Sequence, residues 1–334
     1  MNKSAIALAV AAALATSAAA QAETILYGSA RLSVDYQKAD VLRFTEPGDV
    51  LDVFDDGVWD VINHSSRLGV RGSEDLGDGL SAIYQFEFGV DAAEGGNFQS
   101  NRPRLVGLRG ENFGTISIGT QWTPYYNVAG VGDVFNSRWF SRGTTYLGDF
   151  RRSNSLFYQT PNFNGFDGQA MLVMDGQAFD ELGNPVGEDA VDIWDVALRY
   201  TNGPIFAGAA YVSTEAEPTT DQYAVALGWT GEALAATFTF EDGDFTGVDA
   251  QNYYGTLSYA FGSNVVRVAY GFLDPDDDVE ETHNYALGFQ HNLSIRSRLW
   301  VEYTGRNQDE FDEITDVNFS GDSDIISVGM RHDF

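Results

Sequence analysis

From residue 23 onward, apolar and polar side chains alternate in short runs, with the two-residue period of a strand and not the 3.6-residue period of a helix. In the first run, Thr24 to Tyr36, the residues Leu26, Ala30, Leu32, Val34 and Tyr36 fall on one face. Tyr27, Ser29, Arg31, Ser33 and Asp35 fall on the other. The last run ends the chain: Ile326, Val328, Met330, His332 and Phe334 share a face, opposite Ser327, Gly329, Arg331 and Asp333. Between them lie further runs at Ser65 to Gly72, Leu80 to Phe88, Arg102 to Arg109 and Thr115 to Trp122. Others carry the faces Tyr223, Val225, Leu227 and Trp229, or Val266, Val268, Tyr270 and Phe272. The run Arg102 to Arg109 is the weakest, because Pro103 interrupts it.

The connections alternate in length as regularly as the side chains alternate in polarity. Short turns fall at Ser73 to Gly79, Glu111 to Gly114, Asn162 to Gly165, Asn202 to Pro204, Thr230 to Glu232, Gly262 to Asn264 and Leu293 to Ile295. Long connections run from Gln37 to His64, Asp91 to Asn101, Thr123 to Phe150, Asp175 to Ala190, Thr214 to Thr220, Glu241 to Gln251, Asp274 to Thr282 and Arg306 to Asp324. About sixteen strands result, each apolar on one side and tipped with aromatics such as Tyr84, Tyr158, Trp194 and Tyr200. A half-apolar strand left unpaired at the chain end invites aggregation, and a closed ring removes that edge. The pattern therefore predicts an all-β fold: a transmembrane antiparallel β-barrel of 16 strands over residues 23–334, both termini on the short-turn side. A soluble β-sandwich is the alternative, but its exposed faces would be polar.

The amino terminus reads as a signal peptide, residues 1–22. Lys3 is followed by the apolar run Ala5 to Ala15 and the small-residue site Ala20-Gln21-Ala22. That run is too short for a permanent membrane helix. Cysteine is absent, so an exported chain of this kind is held without disulfides. The 49 acidic residues against 19 basic exclude nucleic acid as a partner, because phosphate binding needs the opposite sign. The surplus also predicts a mouth that concentrates cations in dilute salt and does so less as salt rises.

No cofactor, metal or enzymatic chemistry is expected. The acidic runs Asp52 to Asp56 and Asp274 to Glu281 lack the spaced ligands and glycine of a calcium loop. His64, His283, His291 and His332 have no zinc-ligand spacing, and no glycine-flanked nucleophile accompanies them.

Certain segments resemble a known family. Ser66-Arg67-Leu68-Gly69-Val70-Arg71-Gly72, Val106-Gly107-Leu108, Tyr158 with Pro161, and the terminal Phe334 are similar to those of the general diffusion porins of Gram-negative bacteria. The resemblance covers essentially the whole mature chain and implies a homotrimer in the outer membrane, amid lipid and lipopolysaccharide, passing small hydrophilic solutes. It also implies that the third long connection, Thr123 to Phe150, folds into the lumen as a constriction, and that Asp91 to Asn101 latches onto a neighbouring barrel.

In that family wall arginines face carboxylates on the third loop. The resemblance assigns Arg67, Arg102 and Arg151 to the wall, with Arg104 on the same face as Arg102 and Glu87 beside them. Asp133 matches the first loop acid, whereas Ser137 occupies the position of the second. Arg31, Arg71, Arg138 and Arg142 complete the expected lining. Two other functions fit a barrel: a substrate-specific porin, or a structural or adhesive barrel displaying acidic loops. The terminal aromatic resembles the signal read by the barrel-insertion machinery. Deleting Phe334 is expected to lower the amount of protein in the outer membrane, measured by fractionation, and normal yield would sink that assignment.

Overall fold

A computed structural model of the chain describes residues 23–39, 41–44, 51–54, 57–99, 102–138, 145–174, 178–179, 185–186, 191–215, 220–245, 248–276, 281–307, 309–312, 317–320 and 322–334. The expected signal peptide, 1–22, lies outside the described residues, and the first strand begins at Glu23.

Sixteen wall strands follow in order. They are β1 (Glu23–Ala39), β2 (in two pieces, Val58–Asn63 and Arg67–Gly77), β3 (Leu80–Gly89), β4 (Arg104–Gly110), β5 (Gly114–Trp122) and β6 (Arg151–Gln159). Next come β7 (Phe166–Val173), β8 (Ile193–Asn202), β9 (Ile205–Thr214), β10 (Thr220–Thr230) and β11 (Leu234–Phe245). The last are β12 (Val248–Phe261), β13 (Asn264–Pro275), β14 (Thr282–Asn292), β15 (Ser297–Asn307) and β16 (Ser323–Asp333). Each pairs antiparallel with the next. The ring then closes, β1 against β16, from Ser29 opposite Asp333 to Ala39 opposite Ser323. Every strand edge is thereby paired, which is what a sheet spanning hydrocarbon requires.

The two faces sort as the alternation predicts. Leu26, Val34, Leu198, Leu227, Leu257 and Val328 are exposed on the outside, while Ser29, Ser33, Asp35, Thr239 and Ser327 are buried on the inside. Aromatic neighbours flank the outer apolar band at both ends: Trp194, Tyr211 and Tyr223 near the long connections, Phe166 and Tyr200 near the short turns. No helix among the described residues is long and apolar enough to cross a membrane.

Two connections expected to be loops are largely strand. Val58–Asn63 extends β2 along the upper half of β1, and β11 and β12 pair as far as Phe245 opposite Val248, through most of Glu241 to Gln251. The tops of β11 and β12 carry polar residues on both sides, so there the ladder continues after the apolar alternation has faded, whereas Val58–Asn63 still exposes Trp59 and Val61.

β2 is broken at His64–Ser66, where Ser65 has a φ of 66°. Across the break β1 advances from Ser29 to Leu32 while β2 spans Asn63 to Arg67, one residue more: a β-bulge. Arg31 O accepts from the His64 amide at 3.0 Å, and the bulge aims the His64 ring into the barrel.

At the seam, Gly28 N–H donates to Phe334 O at 3.0 Å and Phe334 N–H returns a bond to Gly28 O at 3.1 Å. A Cβ on Gly28 would lie 2.3 Å from the Phe334 ring and 2.7 Å from Arg67 O, so only glycine lets the terminal aromatic lie across β1. Gly28→Val is expected to cost about 1–3 kcal/mol by overpacking. It should lower the temperature at which the folded barrel loses its gel mobility. Gly255→Ala, whose Cβ meets nothing nearer than Thr237 O at 3.8 Å, is the control. Equal melting of both variants would show that the seam does not need the glycine.

Candidate functional site

The third long connection begins as a short helix, α1 (Pro124–Ala129), with Thr123 capping Tyr126 N–H at 3.0 Å and proline in the first turn. Its Tyr125, Val128 and Ala129 are buried against Ala197, Ala210, Ala224 and Ala226 of β8, β9 and β10. These small wall residues leave a recess the width of a helix. Gly208 lies in the same recess, 3.1 Å from both Val128 methyls when a Cβ is built on it.

The peptide donors of the helix's first turn and of the irregular stretch beyond it need acceptors. The inner wall supplies them. Asp195 Oδ2 takes Tyr125 N–H at 3.0 Å. Glu302 takes Asn136 N–H at 2.8 Å through Oε1 and Ser137 N–H at 2.7 Å through Oε2. His64 Nδ1 takes Arg138 N–H at 3.0 Å. All three side chains are buried. Tyr254 adds an O–H bond to Gly132 O at 3.1 Å, and Phe135 packs against Tyr254, Ala269 and Ala286. From Tyr125 to Arg138 the segment thus follows the inner surface of β8 round to β15 and on to β2.

The wall it does not cover holds the expected arginines. Glu87 lies between two of them: Arg67 Nε is 3.7 Å and Arg102 Nη1 3.5 Å from its carboxylate, and Tyr27 O–H donates to it at 2.9 Å. Arg151 lies 4.3 Å above the Trp122 ring, and Trp122 stacks on Tyr126 at 4.9 Å. Asp133 accepts from Tyr126 O–H at 2.9 Å.

Arg67, Arg102, Arg151, Glu87 and Asp133 all line one cavity of about 540 Å³, together with Arg31 and Arg138. Three arginines not singled out from the sequence join them: Arg267, Arg298 and Arg331. Among the described residues, eight arginines face two carboxylates there. Arg71 does not line this cavity; its guanidinium lies 5.1 Å over the Tyr27 ring. Arg142 lies outside the described residues.

Arg104 is a correction. It sits opposite Phe86 in the ladder and 4.8 Å over Phe88, on the outer face. β4 starts only after Pro103, so the two-residue parity that put Arg104 with Arg102 does not hold across that proline. Arg104 donates to Gln99 O at 3.3 Å, and Phe98 packs against Phe88 with tilted rings 5.4 Å apart, fastening the preceding connection to its own barrel wall.

Ser33, His64 and Asp35 form a buried trio that sequence spacing did not reveal. Ser33 Oγ contacts His64 Nε2 at 2.5 Å, with Asp35 Oδ2 3.6 Å from the same nitrogen. A nucleophilic triad needs its acid on the other nitrogen, and here that nitrogen accepts Arg138 N–H. The trio anchors the loop.

Comparisons with known proteins agree with this architecture. The sequence profile of the Gram-negative porin family matches residues 7–310. Outer membrane porin protein 32 of Delftia acidovorans is 31% identical over 90% of this chain and 88% of its own. The solved structure of an anion-selective porin from Comamonas acidovorans is similar with a TM-score of 0.71 at 21% identity, covering 94% of this chain and 100% of that one. An outer membrane protein of Vibrio cholerae, solved in a trimer form, gives 0.65 at 16% identity, with coverage of 94% and 99%.

Glu302 carries the tip of the loop, and bonds to a charged acceptor are worth about 1.5–3 kcal/mol each. Glu302→Ala is expected to turn a quiet channel into one with fluctuating conductance in planar bilayers, with the barrel's thermal stability nearly unchanged. A steady trace of normal amplitude would show that the tip is held elsewhere.

Proposed function

The chain belongs to the Gram-negative porin family and is an outer-membrane channel for the passive diffusion of small solutes, and from that premise we propose that its constriction favours anions. The observation that carries this reading is the eight arginines against two carboxylates around one cavity. Several of those charges are already committed: Glu87 to Arg67 and Arg102, Asp133 to Tyr126 O–H, and Arg298 and Arg331 to Asp333 at 2.9 and 2.8 Å, which leaves Arg31, Arg151 and Arg267 in excess. An ion in the constriction therefore meets a positive field at contact distance. The Comamonas relative's description as anion-selective supports the same direction.

The connection Thr123 to Phe150 is the constriction in this reading, supported by its hydrogen bonds to inner-wall residues of several strands. Assembly is as a homotrimer, supported by the trimer form of the Vibrio neighbour. Residues 1–22 serve as a cleaved signal, and the long connections face outward from the cell.

Charges at the mouth act over distance and are screened within about 10 Å at 0.1 M salt and about 3 Å at 1 M, whereas lumen arginines touch the permeating ion. The acidic connections oppose the arginines in dilute salt and fade first. Reversal potentials in KCl gradients are thus expected to show chloride preference that grows from 0.1 to 1 M. Arg67→Ala should move them toward cations and Asp133→Ala toward anions. Cation preference persisting at 1 M salt would overturn the assignment.

A further inference from the structure

The anion-favouring cavity is not uniformly polar. Trp122, Tyr126 and Phe150 line it on the side next to Arg151, and none of the three is fully buried. The buried apolar contacts of this region belong to other side chains: Tyr125, Val128, Ala129 and Tyr146 form the core beneath the loop, and Tyr126 and Phe150 only flank it. Tyr126 and Phe150 meet with centroids 4.9 Å apart, and Trp122 lies at the same distance from Tyr126. The result is a strip of aromatic rings along the cavity, its Trp122 end carrying the Arg151 guanidinium at 4.3 Å.

Apolar surface in a water-filled lumen is unfavourable unless something covers it, and a patch of it beside fixed polar groups is the usual signature of a recognition site. Aromatic rings pair with one another in offset-stacked or edge-to-face geometry, so such a strip suits a solute that carries a ring of its own. Two guanidinium nitrogens of the lining, Arg151 Nε and Arg267 Nη1, are buried without an acceptor among the described residues.

We propose that the constriction holds a saturable site for aromatic carboxylates, the carboxylate on Arg67, Arg102 or Arg151 and the ring against Trp122, Tyr126 and Phe150. This rests on the anion-favouring reading and adds a solute class to it. An aliphatic anion satisfies the guanidinium groups alone; a neutral aromatic satisfies the strip alone. Only a solute with both parts uses both, and the cavity of about 540 Å³ accommodates one with room for water to pass.

Benzoate and cyclohexanecarboxylate test this, since they share charge and approximate size and differ in the ring. Each is titrated against single-channel chloride current through the full-length barrel in planar bilayers. Benzoate is expected to reach half-block at a concentration about two- to tenfold lower, the range of an aromatic pair beyond simple burial. Tyr126→Leu and Phe150→Leu should each narrow that ratio toward one, while Tyr126→Phe, which keeps the ring, should preserve it. If a leucine variant fails to fold, the wild-type ratio and Tyr126→Phe still decide. Equal half-block by the two acids in a channel that prefers chloride overturns the aromatic site and leaves the anion reading standing. A wild-type reversal potential on the cation side overturns both.

Discussion

Closure of the β-ladder is the constraint on which everything else in this molecule depends. Within hydrocarbon no water satisfies a peptide group, so each strand needs two partners and the last must find the first. The seam between β1 and β16 meets that demand down to the terminal residue, where Phe334 and Gly28 exchange both backbone bonds. A ring of sixteen strands is also too wide for opposing side chains to meet across it. Closing the ladder therefore creates an interior that water or polypeptide has to fill.

The connection after β5 and the inner wall solve each other's problem. An irregular segment carries peptide donors that a helix or strand would have paired internally, and leaving them unpaired in a buried place costs free energy. A carboxylate or imidazole buried in the wall without a donor is equally costly. Asp195, Glu302 and His64 each meet a loop N–H, so two sets of unfavourable groups become one set of bonds. The β2 bulge belongs to the same arrangement, because one extra residue aims His64 at Arg138. Alanines on β8, β9 and β10 give up side-chain volume where α1 seats.

Much of this was legible in the alternation, and the failures have physical causes. The strand count, the outward apolar faces and the closing strand followed from period two, which the bilayer enforces. The tops of β11 and β12 were missed because that enforcement ends where strands leave the apolar band, and Val58–Asn63 because the bulge at His64–Ser66 separates it from the run that begins at Ser65. Arg104 was misplaced because parity cannot be carried across Pro103. Arg267, Arg298 and Arg331 lie opposite apolar neighbours in their strands, so parity turns them inward as it does Arg67. What periodicity does not supply is height along the barrel axis, which comes from strand register, and so it did not gather them into one cavity. The trio around His64 and the orientation of Tyr126 depend on a bulge and an aperiodic loop, for which a local pattern gives no signal.

The acidic whole and the basic interior are compatible because they act at different ranges. The chain carries a net charge of −30, much of it in the connections, and that field reaches solutes and neighbouring molecules through screened water. Inside, low-dielectric walls confine the field lines and arginines stand within contact of whatever passes, so in the proposed anion-favouring reading a few local cations outweigh many distant acids. The guanidinium group suits this position better than an amine, since it stacks on rings, as Arg151 does on Trp122, and holds its charge when partly desolvated. Only two lysines occur in the chain, Lys3 and Lys38; Lys3 lies outside the described residues and Lys38 does not line the cavity. The interior is thus built from the one cation that keeps both its charge and its geometry beside aromatic surface, and that pairing ties the channel's charge preference to the shape of its narrowest part.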